Sequence, residues 1–518
     1  MAGQVKSRQR VADHGEVLTA DREVGAMLDL VKQEAYRVDS RFLEPACGDG
    51  NFLAEILRRK LKAAKKLAVT SDGKKPLLSG FERQSLTAAA SIYGVDLLTD
   101  NVLACRERLY DIWDSEYRAV CKAEAGEACR KAVRLILEHN IICGNTLSQH
   151  TADENANDRE EPIVFSRWTF DTGMRREEHR FDMLLQGRDI FTFDVIVGNP
   201  PYQLSDGGNG ASAKPIYHLF VEQAKKLQPR YLTMIVPARW YAGGKGLDKF
   251  RDSMLRDRRI SQIHDFVNAS DCFSGVEIKG GVCYFLWENG REGDCRVFTH
   301  KGNDIVSEMS RPLLEKGGNT FIRFNEAIRI LRKVQAKGED TFDGLVSARK
   351  PFGLPSNFRD YRKSGSARDN IYIYAQKDRG FVSESQILKN QDWIGNWKVY
   401  IPEAIGAGKM QTDVVRPIVG GPGTVCSETY VVAGPYDDEE TAKNVEAYVK
   451  TRFFHFMLGL KKITQHTTSK TYAFVPVQDF SRAWTDSELY GKYGLTEAEI
   501  GFIEASVWRG KAIEDIYK

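Results

Sequence analysis

A repeated alternation of short apolar runs with amphipathic stretches constrains this chain more than any other feature. Arg41-Phe42-Leu43 leads through a glycine-bearing turn into Phe52-Leu53-Ala54-Glu55-Ile56-Leu57, whose apolar residues have helical spacing. Ser91 to Asp96 reads as a second strand closed by an acid. The stretch after it puts Leu98, Val102, Leu109 and Trp113 on one helical stripe. Asn140-Ile141-Ile142-Cys143 and Phe193-Asp194-Val195-Ile196-Val197 read as the third and fourth strands. Ile216, Leu219, Phe220, Gln223, Ala224 and Leu227 then recur as a helical face, and Tyr231 to Val236 forms a fifth strand ending at Pro237. Strands that alternate with helices predict a mostly parallel sheet covered on both faces.

Two polar insertions break this rhythm, one from Leu61 to Pro76 and one from about Gln149 to Arg188. Both are expected to be surface excursions. Beyond about residue 325, Gly and Pro become frequent and polar aromatic stretches replace the alternation. At 518 residues more than one domain is expected, and the boundaries read as 1–325 and 326–518, the second of mixed α/β structure. The segment around Leu495-Thr496-Glu497-Ala498-Glu499-Ile500 is predicted to be helical.

Several classes of function are excluded or disfavoured. No apolar run approaches the ~18 residues of a membrane span, and the basic N-terminal segment lacks the apolar core of a secretory signal. The protein is therefore expected to be cytoplasmic. Nine cysteines never form a CxxC pair and nine histidines include no HExxH, so neither a metal site nor a disulfide framework is expected. The absence of GxxxxGK followed by Ser or Thr disfavours an ATP-driven motor. A net charge of +3 says little, but Arg323 to Arg368 carries eleven Lys or Arg against five Asp or Glu. Such a surplus suits phosphate.

Asn199-Pro200-Pro201-Tyr202 comes directly after the fourth strand. Open α/β sheets place their active sites at the carboxyl ends of strands. Two prolines stiffen that turn and remove two N–H donors, leaving carbonyls free to accept. Asn199 can accept from an amino group through its side-chain oxygen, and Tyr202 offers a flat face to a base. These are the needs of amino methylation. The exocyclic nitrogen of adenine is a poor nucleophile because its lone pair is delocalised into the ring. Two acceptors on its hydrogens localise that pair and aim it at a methyl sulfonium, so the rate comes from orientation and electrostatics. Gly48 and Gly50 permit a tight turn where a ligand approaches the backbone, and Asp96 ends the next strand as an acceptor for ribose hydroxyls. No GxGxxG is present, which disfavours a dinucleotide enzyme.

Together these elements resemble the gamma-class N6-adenine DNA methyltransferases of bacterial type II restriction–modification systems. His14 to Thr19 looks like the N-terminal cofactor motif, with Ala20 where a proline is usual. Phe42 to Phe52, including Glu44, Pro45, Ala46, Gly48 and Gly50, resembles the main cofactor loop, and Asp96 the ribose-binding acid. Gly144-Asn145-Thr146-Leu147 resembles the adenine-side cofactor motif, with Asn145 where Asp is common. Val236 to Trp240 and Val276 to Phe285 resemble later parts of the same domain. The likeness continues more loosely through Lys350 to Gly353 and Thr467 to Tyr472.

The resemblance implies a Rossmann-like catalytic domain with a mixed, mostly parallel seven-stranded sheet and a C-terminal target-recognition domain. It implies S-adenosyl-L-methionine as cofactor, double-stranded DNA as partner and a base flipped into the site. Tyr202 would stack on that adenine, while Asn199 and the Pro200 carbonyl would hold its amino group. Phe273 and Tyr284 are candidates for the second stacking aromatic. Arg349, Lys350, Arg359, Arg362 and Lys363 are candidate DNA contacts. A cognate restriction endonuclease is a candidate partner, and a monomer and a homodimer both stay open. The nearest alternative is the same chemistry on RNA or on a protein glutamine. A nuclease pattern, Asp265 with Glu277-Ile278-Lys279, is weak beside it.

Overall fold

A computed structural model describes residues 19–68, 78–171, 173–203, 214–273, 278, 280–376, 378–403, 415–461 and 468–507. The chain forms two units that divide between Pro312 and Leu313. That division falls earlier than the boundary near residue 325, for a local reason. The segment after Leu313 packs within the second unit: Glu315 accepts from Arg332 at 2.8 Å, and Gly318 lies against Phe474.

The first unit contains helices α1 (Asp21–Asp29), α2 (Lys32–Ala35), α3 (Asn51–Leu67), α4 (Leu78–Ala90), α5 (Thr99–Cys121), α6 (Glu127–Asn140), α7 (Phe181–Leu185), α8 (Tyr217–Lys226) and α9 (Asp248–Arg256). Its strands are β1 (Phe42–Glu44), β2 (Ile92–Asp96), β3 (Ile141–Asn145), β4 (His150–Ala152), β5 (Asp158–Pro162), β6 (Val164–Thr169), β7 (Arg175–Arg180), β8 (Val195–Gly198), β9 (Tyr231–Pro237), β10 (Ile260–Phe266), β11 (Val282–Glu288), β12 (Cys295–Lys301) and β13 (Asp304–Arg311). All but β6 and β7 join one eleven-stranded sheet, ordered β13-β12-β10-β11-β9-β8-β1-β2-β3-β4-β5.

The sheet has eleven strands where seven were expected, which corrects the count. From β3 through β2, β1, β8 and β9 every pairing is parallel, whereas β11 runs antiparallel between β9 and β10. The added strands arise because β3 turns back into β4 and β5 on one side, and β12 and β13 continue past β10 on the other.

Strands β1, β2, β8 and β9 are buried on both faces, as the apolar runs require, and β3 is partly covered. Phe52, Leu53, Ile56 and Leu57 of α3 pack with Val102, Cys105, Leu109 and Trp113 of α5 and with Phe42, Ile92 and Ile141 of the sheet. On helix α8 one residue departs from its predicted stripe: Leu219 is exposed. Lys60 of α3 is wholly buried. Its ammonium donates to the carbonyls of Val38 (3.2 Å) and Ser40 and to Ser91 Oγ (2.5 Å), and burial lowers its pKa to about 7.

The two insertions are more integral than their polarity suggests. The Lys-rich one is helix α3 up to Leu67, with Leu61, Ala63 and Ala64 buried; residues 69–77 lie outside the described residues. The second forms β4, β5 and the β6–β7 hairpin. Phe165, Phe191 and Phe193 surround Tyr93 of β2, with Phe181 packed on Phe165, and the Tyr93 hydroxyl donates to the Ser166 carbonyl at 2.9 Å. Trp168 donates to Asn140 Oδ1 at 3.0 Å.

The second unit holds α10 (Asn325–Gln335), α11 (Glu439–Val449), α12 (Arg452–Gly459), α13 (Asp486–Lys492) and α14 (Glu497–Ser506). Two three-stranded sheets accompany them: β15-β14-β18 and β17-β16-β19, built from β14 (Ile371–Tyr374), β15 (Arg379–Val382), β16 (Trp397–Pro402), β17 (Ile418–Gly420), β18 (Thr424–Cys426) and β19 (Tyr430–Tyr436). Thr496 caps α14 in a reciprocal box with Glu499. Buried Lys398 donates to the carbonyls of Trp393 (2.8 Å) and Asn396 (2.6 Å), an ammonium tying one loop to its strand.

Candidate active site

The sheet's order reverses between β1 and β8, the place at which open α/β sheets bind ligands beyond the carboxyl ends of their strands. Arg41 holds the two strands level: its carbonyl accepts from Asp194 (2.9 Å) and Val195 (3.1 Å), and its N–H donates to Asp194 Oδ2 (2.8 Å). At the other end β1 finishes on Glu44 and β8 on Gly198. A Cβ at Gly198 would lie 3.3 Å from Glu44 Cγ, so this close approach favours the smallest residue. The Glu44–Gly50 turn and the Asn199–Tyr202 turn are thereby neighbours in space.

The first turn is built around two left-handed glycines, Gly48 (φ 52°) and Gly50 (φ 86°). Gly48 N–H donates to Asp96 Oδ2 at 2.8 Å, and the other oxygen of Asp96 accepts from Leu98 N (3.0 Å) and Asn101 Nδ2 (3.1 Å). Asp96 therefore organises the turn as well as ending β2. A Cβ on Gly50 would come within 2.6 Å of Cys105 Sγ. Asn51 opens α3 and donates to the Thr19 carbonyl at 3.1 Å, bringing buried Thr19 to the turn. His14 to Leu18 lie outside the described residues. Thr146 Oγ1 donates to the Pro45 carbonyl at 2.5 Å, and Gln223 of α8 donates to the Thr146 carbonyl at 2.8 Å. Asn145 Oδ1 accepts from Leu147 N (3.1 Å) and Ser148 N (3.4 Å), so the acceptor expected to face a cofactor also braces its own turn.

Glu44 is 3% exposed, and among the described residues its Oε2 has no hydrogen-bond partner. Burial is the main cause that pushes its pKa well above the usual carboxylate range, with Asp96 and Asp49 adding repulsion and Arg108 opposing it. Burial and two neighbouring acids hold the Glu44 carboxyl neutral until a cation offsets them, so the turn disfavours the pyrophosphate of a dinucleotide and favours a cation. A ligand carrying a sulfonium and an ammonium fits this turn in charge.

In the second turn Pro200 is buried and Tyr202 half-buried. The Tyr202 carbonyl accepts from Ile216 N at 3.1 Å, which ties the end of the turn to the start of α8. Burial raises its phenol well above the ordinary range, so the ring stays neutral. Phe273 meets Tyr202 edge to face at 6.3 Å, and Tyr217 does so at 6.5 Å. Of the two candidate aromatics, Phe273 is the one in contact with Tyr202. Tyr284 of β11 is stacked on His264 at 4.5 Å, so that face of its ring is already occupied.

The basic residues singled out in the second unit are not a bare cationic surface. Arg349 pairs with Glu403 and Glu428 (3.4 and 3.0 Å), and Lys350 with Glu428 (3.6 Å). Arg362 pairs with Asp369 (2.8 Å) and Lys363 with Asp378, while Arg359 donates to the Phe358 carbonyl (2.8 Å). These acids are spread over the unit, so the local surplus of charge in sequence overstates the surplus in space. Asp265 is buried in β10, whereas Glu277 and Lys279 lie outside the described residues.

Sequence resists reading at two parts of this site. Glu44 looks like one member of a loop, and only burial shows it as an acid withdrawn from water. Tyr217 sits in a helical stripe like any core residue, and only the tertiary fold sets it against Tyr202.

Residues 90–273 match the family described as Eco57I restriction-modification methylase. An uncharacterized adenine-specific methylase of Mycoplasma pneumoniae is 28% identical over 322 residues, covering 57% of this chain and 73% of the relative. Among solved structures, a modification subunit of a putative type I restriction enzyme from Vibrio vulnificus aligns with 14% identity and a TM-score of 0.32. It covers 54% of this chain, which spans 46% of that subunit. The DrdV–DNA complex aligns with 11% identity and a TM-score of 0.42, over 97% of this chain and 58% of its own.

Proposed function

We propose that this protein transfers a methyl group from S-adenosyl-L-methionine to N6 of an adenine flipped out of double-stranded DNA, as the modification component of a restriction–modification or related defence system. The observation that carries the reading is the junction of the Asn199–Tyr202 turn with the acidic glycine turn across the β1–β8 reversal. The methylase family match over residues 90–273 and the adenine-specific relative support it.

The cofactor supplies an electrophilic methyl on a cationic sulfur. Asp49 and Asp96 provide the negative field that holds such a cation, Glu44 adds a buried carboxyl that a bound cation would ionise, Thr19 and the Gly48–Gly50 backbone shape its seat, and Asn145 lies at the end of the next strand. Asn199 Oδ1 and the Pro200 carbonyl accept the two hydrogens of the adenine amino group and turn its lone pair toward the methyl. Tyr202 stacks on the base, and Phe273 supports the Tyr202 ring from its edge. The work is orientation and preorganised acceptors, for which loss of one hydrogen-bonding group typically costs about a hundred- to a thousandfold in rate. Asn199→Ala is expected to lose at least that much methyl transfer while keeping cofactor and DNA affinity. Near-normal turnover in that variant would remove Asn199 from the mechanism.

The direct test incubates the protein with unmethylated duplex DNA and labelled S-adenosylmethionine, then digests the DNA to nucleosides. N6-methyladenine is expected. Methylcytosine would overturn the base. Label in RNA or protein, with none in DNA, would move the same chemistry to the alternative substrates.

A further inference from the structure

Strand β9 lies beside β8, with Met234 paired to Gly198, so the segment leaving β9 emerges next to the catalytic turn. It begins with a helical turn, Ala238–Tyr241, and continues into Gly243-Gly244-Lys245-Gly246. All four of these residues are left-handed, with φ of 75°, 77°, 48° and 87°. Such a run is unusual, and at Lys245 it is strained. Arg251 of α9 holds the curl by donating to the Ala242 carbonyl (3.1 Å) and to Asp248 Oδ1 (3.2 Å), which also accepts from Gly244 N (3.2 Å). Gly243 is required for packing, because a Cβ would meet Arg251 and Asp248 at 2.5 Å. Gly244 and Gly246 have nothing within 4 Å of a Cβ, so their bareness leaves open backbone facing outward.

Arg239 stands at the start of this segment and is exposed. Among the described residues no carboxylate pairs with it, in contrast to Arg251 and to the paired cations of the second unit. The residue beside it, Trp240, connects through packed rings to the site. Trp240 is buried against Phe250 (5.9 Å), Phe250 against Tyr217 (6.2 Å), and Tyr217 against Tyr202 (6.5 Å). The Arg239 charge reaches the buried Tyr217 hydroxyl, where it opposes the upward shift caused by burial.

We infer that Arg239 and the Gly243–Gly246 curl bearing Lys245 grip the backbone phosphates of the strand whose adenine enters the site. Turning a nucleotide out of a duplex displaces its flanking phosphates along with its base. A planar guanidinium can fork onto a phosphate, and glycines let the backbone come close to it. The inference rests on the reading that the substrate is duplex DNA.

The test measures KM for duplex DNA between about 50 and about 200 mM salt for the wild type, Arg239→Gln and Arg239→Lys. Arg239→Gln is expected to raise KM roughly tenfold and to reduce the slope of log KM against log salt by about one. Arg239→Lys should restore the slope, because the charge returns, but only part of the affinity, because the fork does not. Cofactor affinity should be unchanged in both, which a merely unfolded variant could not show. Wild-type KM and slope in Arg239→Gln would overturn the phosphate grip alone. Failure of the wild type to methylate any DNA would overturn the substrate reading, and the grip with it.

Discussion

Glu44 ends β1, Asn199 follows the end of the adjacent β8, and the two meet different demands. Asn199 works by geometry, Glu44 by an acidity that a bound cation restores, and that acidity is the easier to remove without disturbing shape. Glu44→Gln keeps the volume and abolishes one of three clustered carboxyls. We expect cofactor affinity to fall about tenfold, or ~1.4 kcal/mol, with thermal stability equal or slightly higher, because a buried carboxyl without a partner is costly. Titration calorimetry with S-adenosylmethionine checks this, and unaltered affinity would take Glu44 out of the site. At this scale the sequence is informative where chemistry is local. Asn-Pro-Pro-Tyr after an apolar strand is readable because strand, turn and side chains are contiguous. The ion pairs of Arg349 with Glu403 and Glu428 are not, because partners more than fifty residues apart leave no spacing to read.

Among the elements, the Gly48–Gly50 turn is the most constrained. Gly50→Val places a branched side chain in left-handed backbone and drives it into Cys105 of α5. A loss of roughly 2–4 kcal/mol is expected from strain and overpacking together, along with cofactor binding; wild-type melting and affinity would show that the turn relaxes freely. A second element-level prediction concerns β10 and β12. His264 and His300 share a 2.9 Å contact between their rings, with pKa values lowered by burial to about 3 and about 4 from an ordinary 6.5. Because the folded values lie below the unfolded one, their stabilising contribution is complete above pH 6.5 and is lost as pH falls toward 4 and 3. Each should cost ~2 kcal/mol by about pH 5. Denaturant titrations that gave equal stability at pH 7.5 and pH 5 would contradict it. The parallel strands β1, β2, β8 and β9 are legible because burial on both faces forces continuous apolar runs. The β6–β7 hairpin reads in sequence as mere surface, because one face carries Arg and Glu while the other, through Phe165, completes a core.

The molecule divides into two units after Pro312. Thr19, Glu44, Gly48, Gly50, Asp96, Asn145 and Asn199 to Tyr202 all lie before Pro312. A fragment of residues 1–312 is therefore expected to bind S-adenosylmethionine with near-wild-type affinity but to lose preference for any DNA sequence, if residues 313–518 read it. Sequence-selective methylation by the fragment would place recognition in the first unit. The break in rhythm reveals a second unit, but not where its first helix draws the chain in.

The eleven-stranded sheet also bears on how this protein behaves at high concentration. An open sheet leaves unpaired N–H and C=O groups at each border, a template on which further strands can add. At one border β5 reads Asp158-Arg159-Glu160-Glu161-Pro162, with its four charged residues exposed and a proline that lacks a donor. The other border, β13, exposes Ile305 and Val306 between Asp304 and Glu308. Colloidal stability is thus guarded unevenly, strongly along β5 and thinly along β13, and self-association, if it arises, should begin at Ile305.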